Sequence, residues 1–373
     1  MKTWEQFCRA EPAEILAWAE GEPWAREMAT CQQDAMWHAE GDVWTHTKMV
    51  FEHAQRLVEW VELDAGDRAK LLFTALFHDA GKAVTTSVDP ESGRLRSPKH
   101  ALRSMEIARE ALRELRCELN VREEIANLVR YHGRPAFTFE KEKPEQEVIS
   151  LSWLLPNRLL YLFALADTRG RKAVETTRPE ETLHLWKLLA EEHECFERPY
   201  RFANDQARFL FYRGELSSLH YTPHEEFKCN VTMMSGLPGV GKDTWLARNA
   251  EKLPVVSLDS IRTALEVDAE DEQGSVIQAA REKCREHLRV GRDFAFNATN
   301  VTRQTRRRWV DLFADYGARV EIVYIEPPME TIREQNKSRG EPVPEQVIAT
   351  LLTKLEPPQI SEAHGVRLVA PEF

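Results

Sequence analysis

The sequence contains no apolar stretch long enough to span a bilayer, which argues against a membrane-embedded chain. Its opening residues, MKTWEQFCRAEPAEILAWAE, are too acidic and too polar for a secretory leader. Cysteine is sparse. Cys8, Cys31, Cys117, Cys195, Cys229 and Cys284 are scattered with no CxxC spacing, so core or surface thiols in a reduced, cytoplasmic setting are expected. Positive charge is also in deficit, the formal net charge being -11. That argues against a broad basic face adhering to nucleic acid, although a few local arginines suffice to grip the end of a strand. Internal repeats and low-complexity tracts are absent.

The 373 residues exceed one comfortable core and suit two domains. With 42% hydrophobic and 30% charged residues, a folded globular class is favoured over disorder. Up to about Glu197 the pattern is almost entirely helical. THTKMVFEHAQRLVEWVEL, DRAKLLFTALFHDA, KHALRSMEIAREALREL, VREEIANLVRYH and NRLLYLFALAD all carry apolar residues at helical spacing. Residues 198–227 read as a helical connector with a loop end. From Cys229 the period changes. CNVTMMS, PVVSL, RDFAFN and RVEIVYIE have strand length and alternate with helical patterns, which predicts βαβ units and a parallel sheet. The expected organisation is a helical domain over 1–197, the connector 198–227, and an α/β domain over 228–373.

GLPGVGKDT, residues 236–244, follows a strand pattern and precedes a helical one, the context that a phosphate-binding loop requires. Gly236, Gly239 and Gly241 let backbone N–H groups turn inward around phosphates. The helix N-terminus adds its positive dipole end, and Lys242 adds a point charge for the β- and γ-phosphates. Asp243 stands where Ser or Thr usually binds Mg²⁺, and Thr244 remains available for the metal or the α-phosphate.

The C-terminal third resembles the polynucleotide 5′-kinase branch of P-loop phosphotransferases. The resemblance implies that Asp259, in PVVSLDSIR, is the general base for a 5′-OH acceptor and that Arg262 contacts the acceptor's adjacent phosphate. A carboxylate just past a strand's C-terminal edge faces the phosphate loop, where an acceptor must attack in line. SLDSIR is also a good helix start, which gives Asp259 an alternative reading as an N-cap. NATN resembles the family's acceptor-side pair through Thr299 and Asn300, with Ala298 where some relatives carry an acid. REQNKSRGEPVP resembles the lid, with Arg339 as a lid arginine on the donor phosphates. Gln335 replaces a second lid arginine, leaving Arg333 or Lys337 as substitutes. The run Arg306, Arg307, Arg308 belongs to no motif and reads as mostly surface.

In the helical half, His46, the doublet His78-Asp79, His100, His132 and Asp167 each lie on or at the end of a helical pattern. Imidazole and carboxylate ligands suit Mn²⁺, Fe²⁺, Co²⁺, Ni²⁺ or Zn²⁺, and a hydrolytic site needs such a cluster with an open position. Over roughly residues 35–175 the order His, His-Asp, distal Asp resembles the HD phosphohydrolase superfamily. The resemblance implies that His46, His78, Asp79 and Asp167 bind a first metal. His100 and His132 match the additional histidines of two-metal members, in which the doublet Asp bridges. His38 and Lys82 are expected on substrate phosphate, with Arg169 and Arg171 as weaker candidates.

The pairing resembles the bacterial HD–polynucleotide kinase fusion, an end-healing enzyme. The fold class this implies is an all-α HD phosphohydrolase domain followed by an α/β P-loop kinase domain with a parallel sheet. The HD domain is expected to remove a 2′,3′-cyclic, 2′- or 3′-phosphate. The kinase is expected to phosphorylate a 5′-OH end with ATP or another NTP and Mg²⁺. RNA or DNA strand ends are the implied partners, with a ligase acting downstream. Two rivals stay open: a nucleotide phosphohydrolase fused to a small-molecule kinase, and an NTP-sensing P-loop module that regulates the HD domain.

Overall fold

The computed structural model describes residues 2–172, 180–268, 271–340 and 342–370. The chain forms two compact units, Met1–Arg201 and Phe202–Phe373.

Among its described residues the first unit is helical apart from one antiparallel hairpin, β1 (Ser87–Val88) and β2 (Leu95–Arg96). Two of its helices are central. Ala65–Phe77 buries Leu71, Leu72, Phe73, Leu76 and Phe77, and Asn157–Arg169 buries every residue from Leu159 to Ala166. Helices buried on so much of their circumference serve as the core against which amphipathic neighbours pack. Asp42 starts the Val43–Gln55 helix by accepting a hydrogen bond from Thr45 N at 2.8 Å, and Asp64 starts Ala65–Phe77 in the same way through Asp67 N. The periodic run from Thr45 to Leu63 is not one helix. It ends at Gln55 and resumes as the 3-10 turn Val58–Glu62, because Leu57 adopts an extended conformation and buries its side chain.

Gly81 lets the doublet segment approach the His100–Glu114 helix. A Cβ there would lie 2.3 Å from His100 O and 2.6 Å from Ser104 N. This contact brings the end of the Ala65–Phe77 helix, with His78 and Asp79 after it, against the start of the helix that His100 begins.

The second unit is a five-stranded parallel sheet in the order β4-β5-β3-β6-β7, with β3 Cys229–Ser235, β4 Val255–Ser257, β5 Phe294–Asn297, β6 Ala318–Ile325 and β7 Gly365–Val369. Helices on its faces bury Val231, Met233, Phe294, Phe296, Ile322 and Phe313 in one cluster, and Met234, Val323 and Ile325 in another. In such sheets ligands bind beyond the C-terminal strand ends, where the chain reverses direction along the sheet.

The segment read as a connector is not a separate spacer. Its helix, Asp205–Arg213, belongs to the second unit: Phe209 joins the sheet's core, and buried Arg208 donates to His364 O. Arg306 is likewise not a surface residue. It is fully buried and donates to Glu362 at 2.7 and 2.9 Å, to Glu356 O at 2.7 Å and to Asn300 O at 3.1 Å. A triple-arginine run gives no sequence signal for which member turns inward.

Candidate active sites

In the helical unit the fold gathers His46, His78, Asp79, His100, His132 and Asp167 from helix ends far apart in sequence. His46, His78 and Asp167 offer atoms within 4.8 Å of one another, and so do Asp79, His100 and His132. Asp79 lies between the two sets. Its Oδ2 is 3.2 Å from His78 Nε2 and 3.9 Å from His46 Nε2, while Oδ1 is 3.4 Å from His100 Nε2 and 3.9 Å from His132 Nε2.

Three of the imidazoles are held alike. Nδ1 of His78, His100 and His132 lies 2.8, 2.9 and 2.8 Å from the carbonyl three residues earlier, of Ala75, Ser97 and Val129. A carbonyl only accepts, so Nδ1 carries the proton and Nε2 presents its lone pair towards Asp79. His78 Nε2 and Asp79 Oδ1 are buried without a hydrogen-bond partner. Orphaned polar atoms of this kind are uncommon in protein interiors, and an imidazole lone pair facing carboxylate oxygen suits a divalent transition ion. The residues present therefore fit a metal.

Electrostatics agree with this arrangement. Burial pushes the Asp79 carboxyl upward, but Lys82 and the neighbouring histidines outweigh it and hold the group well below its usual range. Asp167 is likewise buried and is held low by Arg171 and His46. Burial lowers His132 to about 3, helped by the proximity of His78, and lowers His100 as well. Both imidazoles are thus neutral, the form that binds metal.

Lys82 donates to Asp79 at 2.7 Å and to Gln33 at 2.8 Å, and its Nζ is 3.5 Å from His38 Nε2. Arg171 pairs with Asp167 at 3.0 Å, whereas Arg169 is engaged by Glu180 at 2.7 and 2.9 Å. Sequence reading missed Glu40. Its side chain is 1% exposed, and Oε1 lies 2.8 Å from His38 Nδ1 and 2.9 Å from His46 Nδ1, while Oε2 accepts from Lys172 N at 3.0 Å. It sits in a non-repeating loop of an acid-rich chain, where no periodic or motif signal marks one glutamate.

In the second unit, loop 236–241 follows β3, and the Lys242–Asn249 helix begins directly after it. Gly236, at φ 140°, would place a Cβ 2.6 Å from Ile325 O. Gly241, at φ 90°, turns the chain into the helix. Lys242 donates to Gly236 O at 3.1 Å and Leu237 O at 2.8 Å, folding its ammonium over the loop. Burial lowers this group to about 8; Asp243 and Asp259 oppose that shift and Arg339 adds to it. Two carboxylates and one guanidinium therefore act on the cradle's lysine from separate segments.

Asp259 is in the first turn of the Leu258–Ala264 helix, past β4, and its carboxylate is 2.6 Å from Arg262 Nη1. The cap is Ser257, whose hydroxyl accepts from Ser260 N, so Asp259 is not spent on capping. Arg262 also donates to Gln273 at 2.9 Å. Thr244 is exposed in the first helical turn, and Asn297 Nδ2 donates to Asp243 Oδ1 at 2.7 Å. Thr299 is half-buried, and its carbonyl accepts from Gly236 N at 2.8 Å. Asn300, expected beside an acceptor, is engaged within the fold. It is 2% exposed, at φ 45°, its amide donates to Met234 O and its carbonyl accepts from Ser235 Oγ, so it holds the end of β3 from which the loop departs. Arg339 is exposed after the Met329–Lys337 helix, Arg333 pairs with Glu345 at 2.9 Å, Lys337 is exposed and Gln335 is half-buried.

Comparison with known proteins divides the chain in the same way. The HD domain family matches residues 43–154 and the AAA domain family matches residues 231–358. A CC-adding tRNA nucleotidyltransferase of Thermus thermophilus is 35% identical over 156 residues, 42% of this chain and 32% of that protein. A multifunctional CCA protein of Mannheimia succiniciproducens is 30% identical over 160 residues, 41% of this chain and 36% of that protein. The chain thus spans about a third of the length of these curated relatives. Among solved structures, a sugar kinase from Janibacter sp. is 18% identical with a TM-score of 0.31, over 38% of this chain and 85% of that one. A putative kinase from Chloroflexus aurantiacus is 13% identical with a TM-score of 0.33, over 39% and 86%. Kti12 from Chaetomium thermophilum, solved with ADP-AlF3, is 18% identical with a TM-score of 0.29, over 38% and 88%. The helical unit thus carries the stretch that matches the HD domain family, and the unit built on a parallel five-stranded sheet carries the P-loop and the stretch that matches the AAA domain family.

Proposed function

We propose that the protein heals broken nucleic-acid ends, the HD domain removing a 2′,3′-cyclic, 2′- or 3′-phosphate and the P-loop domain phosphorylating the 5′-OH. One observation carries the reading above its rivals. Asp259 and its partner Arg262 stand at a strand's C-terminal edge, and Asp259 acts on the cradle's Lys242. A nucleotide sensor needs no acceptor base, whereas a hydroxyl flanked by phosphate needs a carboxylate beside a guanidinium.

In the kinase step the 5′-hydroxyl oxygen bonds to the γ-phosphorus as the bond from that phosphorus to the β–γ bridging oxygen breaks. The hydroxyl proton passes to Asp259, and the nucleoside diphosphate leaves. Lys242 and Arg339 hold the donor phosphates as charge shifts towards the leaving group, and Arg262, beside Asp259, contacts the phosphate adjacent to the acceptor hydroxyl. Mg²⁺ accompanies the NTP.

In the hydrolytic domain His46, His78, Asp79 and Asp167, with His100 and His132, hold one or two transition ions. When bound, such an ion polarises the phosphoryl group and lowers the pKa of water. Lys82 and His38 border that cluster and bind the substrate phosphate. The HD-bearing relatives are named for adding CC or CCA to tRNA, which favours RNA over DNA as the strand.

The test is an oligoribonucleotide with a 5′-OH and a 3′-phosphate or 2′,3′-cyclic phosphate, incubated with γ-labelled NTP, Mg²⁺ and Mn²⁺ or Co²⁺. Label arriving at the 5′ end and phosphate lost from the 3′ end are expected. Transfer to free nucleosides but not to strands would establish the small-molecule rival instead.

A further inference from the structure

Asp243 occupies the loop position where a hydroxyl is usual, and the fold does not leave it loose. Asn297, at the end of β5 and 6% exposed, donates its amide to Asp243 Oδ1 at 2.7 Å. This fixes the orientation of the amide, because a carboxylate accepts and does not donate. Asn297 Oδ1 is then left buried with no partner, and Asp243 Oδ2 has none among the described residues. The buried Asn297 Oδ1 thus stands unmatched next to the exposed carboxylate of Asp243, two oxygens of hard-ligand type in and beside the first turn of the Lys242–Asn249 helix.

The charge balance gives this pair a consequence. The loop's lysine already lies against Gly236 O and Leu237 O, and Asp243 and Asp259 both act on it. A metal-free triphosphate entering the cradle meets a carboxylate adjacent to the lysine that should receive it. Unit charges a few ångströms apart near a protein surface interact by enough to change affinity about 10- to 100-fold.

Resting on the kinase reading of this loop, we propose that Asp243, held by Asn297, makes nucleotide binding conditional on a divalent cation, so that the site admits Mg²⁺–NTP and rejects free NTP. A hydroxyl in this place would ligate the ion without repelling the bare phosphates. The carboxylate does both, and so widens the gap between the two forms of the nucleotide.

The experiment measures the affinity of the full chain for a fluorescent ATP analogue in excess Mg²⁺ and in excess EDTA. The wild type, Asp243→Asn, Asp243→Ser, Asn297→Ala and Lys242→Ala are compared, each checked for folding by circular dichroism. Wild type should weaken on chelation about 10- to 100-fold more than Asp243→Asn and Asp243→Ser do, because removing the carboxylate raises metal-free affinity. Asn297→Ala should raise the Mg²⁺ concentration that half-saturates nucleotide binding. Chelation ratios in both Asp243 variants equal to wild type would overturn the proposal. Unchanged binding in Lys242→Ala would show that the nucleotide lies elsewhere, and would overturn the kinase reading itself.

Discussion

Arg306 meets the Glu362 carboxylate through two parallel hydrogen bonds, 2.7 Å from Nε and 2.9 Å from Nη2, with the two side chains 0% and 5% exposed. The same guanidinium donates to Asn300 O, whose residue holds the end of β3, from which the phosphate loop departs, through Met234 O. Arg306→Met leaves Glu362 buried and unpaired, at an expected cost of about 3–5 kcal/mol. Urea unfolding followed by tryptophan fluorescence should show the lower midpoint. Replacing both partners with apolar residues should recover part of the loss, which a simple volume effect would not do.

Asp79 faces two sets of ligands through its two oxygens. Asp79→Ala is expected to lower transition-metal content, measured by mass spectrometry of the dialysed protein, and to reduce 3′-end phosphate removal by about 100-fold or more. Kinase activity should persist. A variant that retained both metal and hydrolysis would refute the assignment of this cluster.

Glu40 lies against Nδ1 of His46 and of His38. Groups that orient a ligating imidazole typically contribute about 10- to 100-fold to metal affinity. Glu40→Gln should weaken Co²⁺ or Mn²⁺ binding by that factor, as seen by titration. Excess metal should restore much of the lost hydrolysis, whereas Asp79→Ala should not respond to it.

Asp259→Asn removes the proton acceptor but keeps a polar group of the same shape. Loss of about 100-fold or more in 5′-phosphate transfer is expected, with NTP affinity little changed. Normal transfer by this variant would leave the P-loop domain without its proposed reaction.

Lys242 is lowered to about 8 in the nucleotide-free protein, chiefly by burial. Its ammonium is therefore largely present below that pH and lost above it. Bound phosphate stabilises the charged form, so binding takes up a proton near and above pH 8, and NTP affinity falls as pH rises through that range. Calorimetry at pH 8 in two buffers of different ionisation enthalpy should reveal the uptake, and Lys242→Arg should abolish it.

Much of this was legible in the sequence because it rests on local rules. The run CNVTMMS coincides with β3, and the glycine loop after it has the conformations its glycines imply. The histidines and aspartates of the HD pattern lie together because each ends or begins a strongly periodic helix. Features set by tertiary packing were not legible. β7, GVRLV, is a short edge strand whose residues are mostly half-buried, and five residues of that composition carry little signal alone. Whether Arg306 or Arg307 turns inward depends on Glu362, more than fifty residues later. Asn297 and Glu40 acquire their roles only when distant segments bring Asp243 and His46 beside them.

The contacts of Glu40 with His46 and Lys172 bear on where the HD domain can be cut. Residues 43–154, which the HD family matches, leave out His38 and Glu40 on one side and Asp167, Arg171 and Lys172 on the other. A fragment trimmed to those limits would keep five of the six clustered residues but lose Asp167, the carboxylate on His46 Nε2, and Glu40, the one on its Nδ1. An excised piece that keeps the whole cluster must therefore extend past the family limits at both ends.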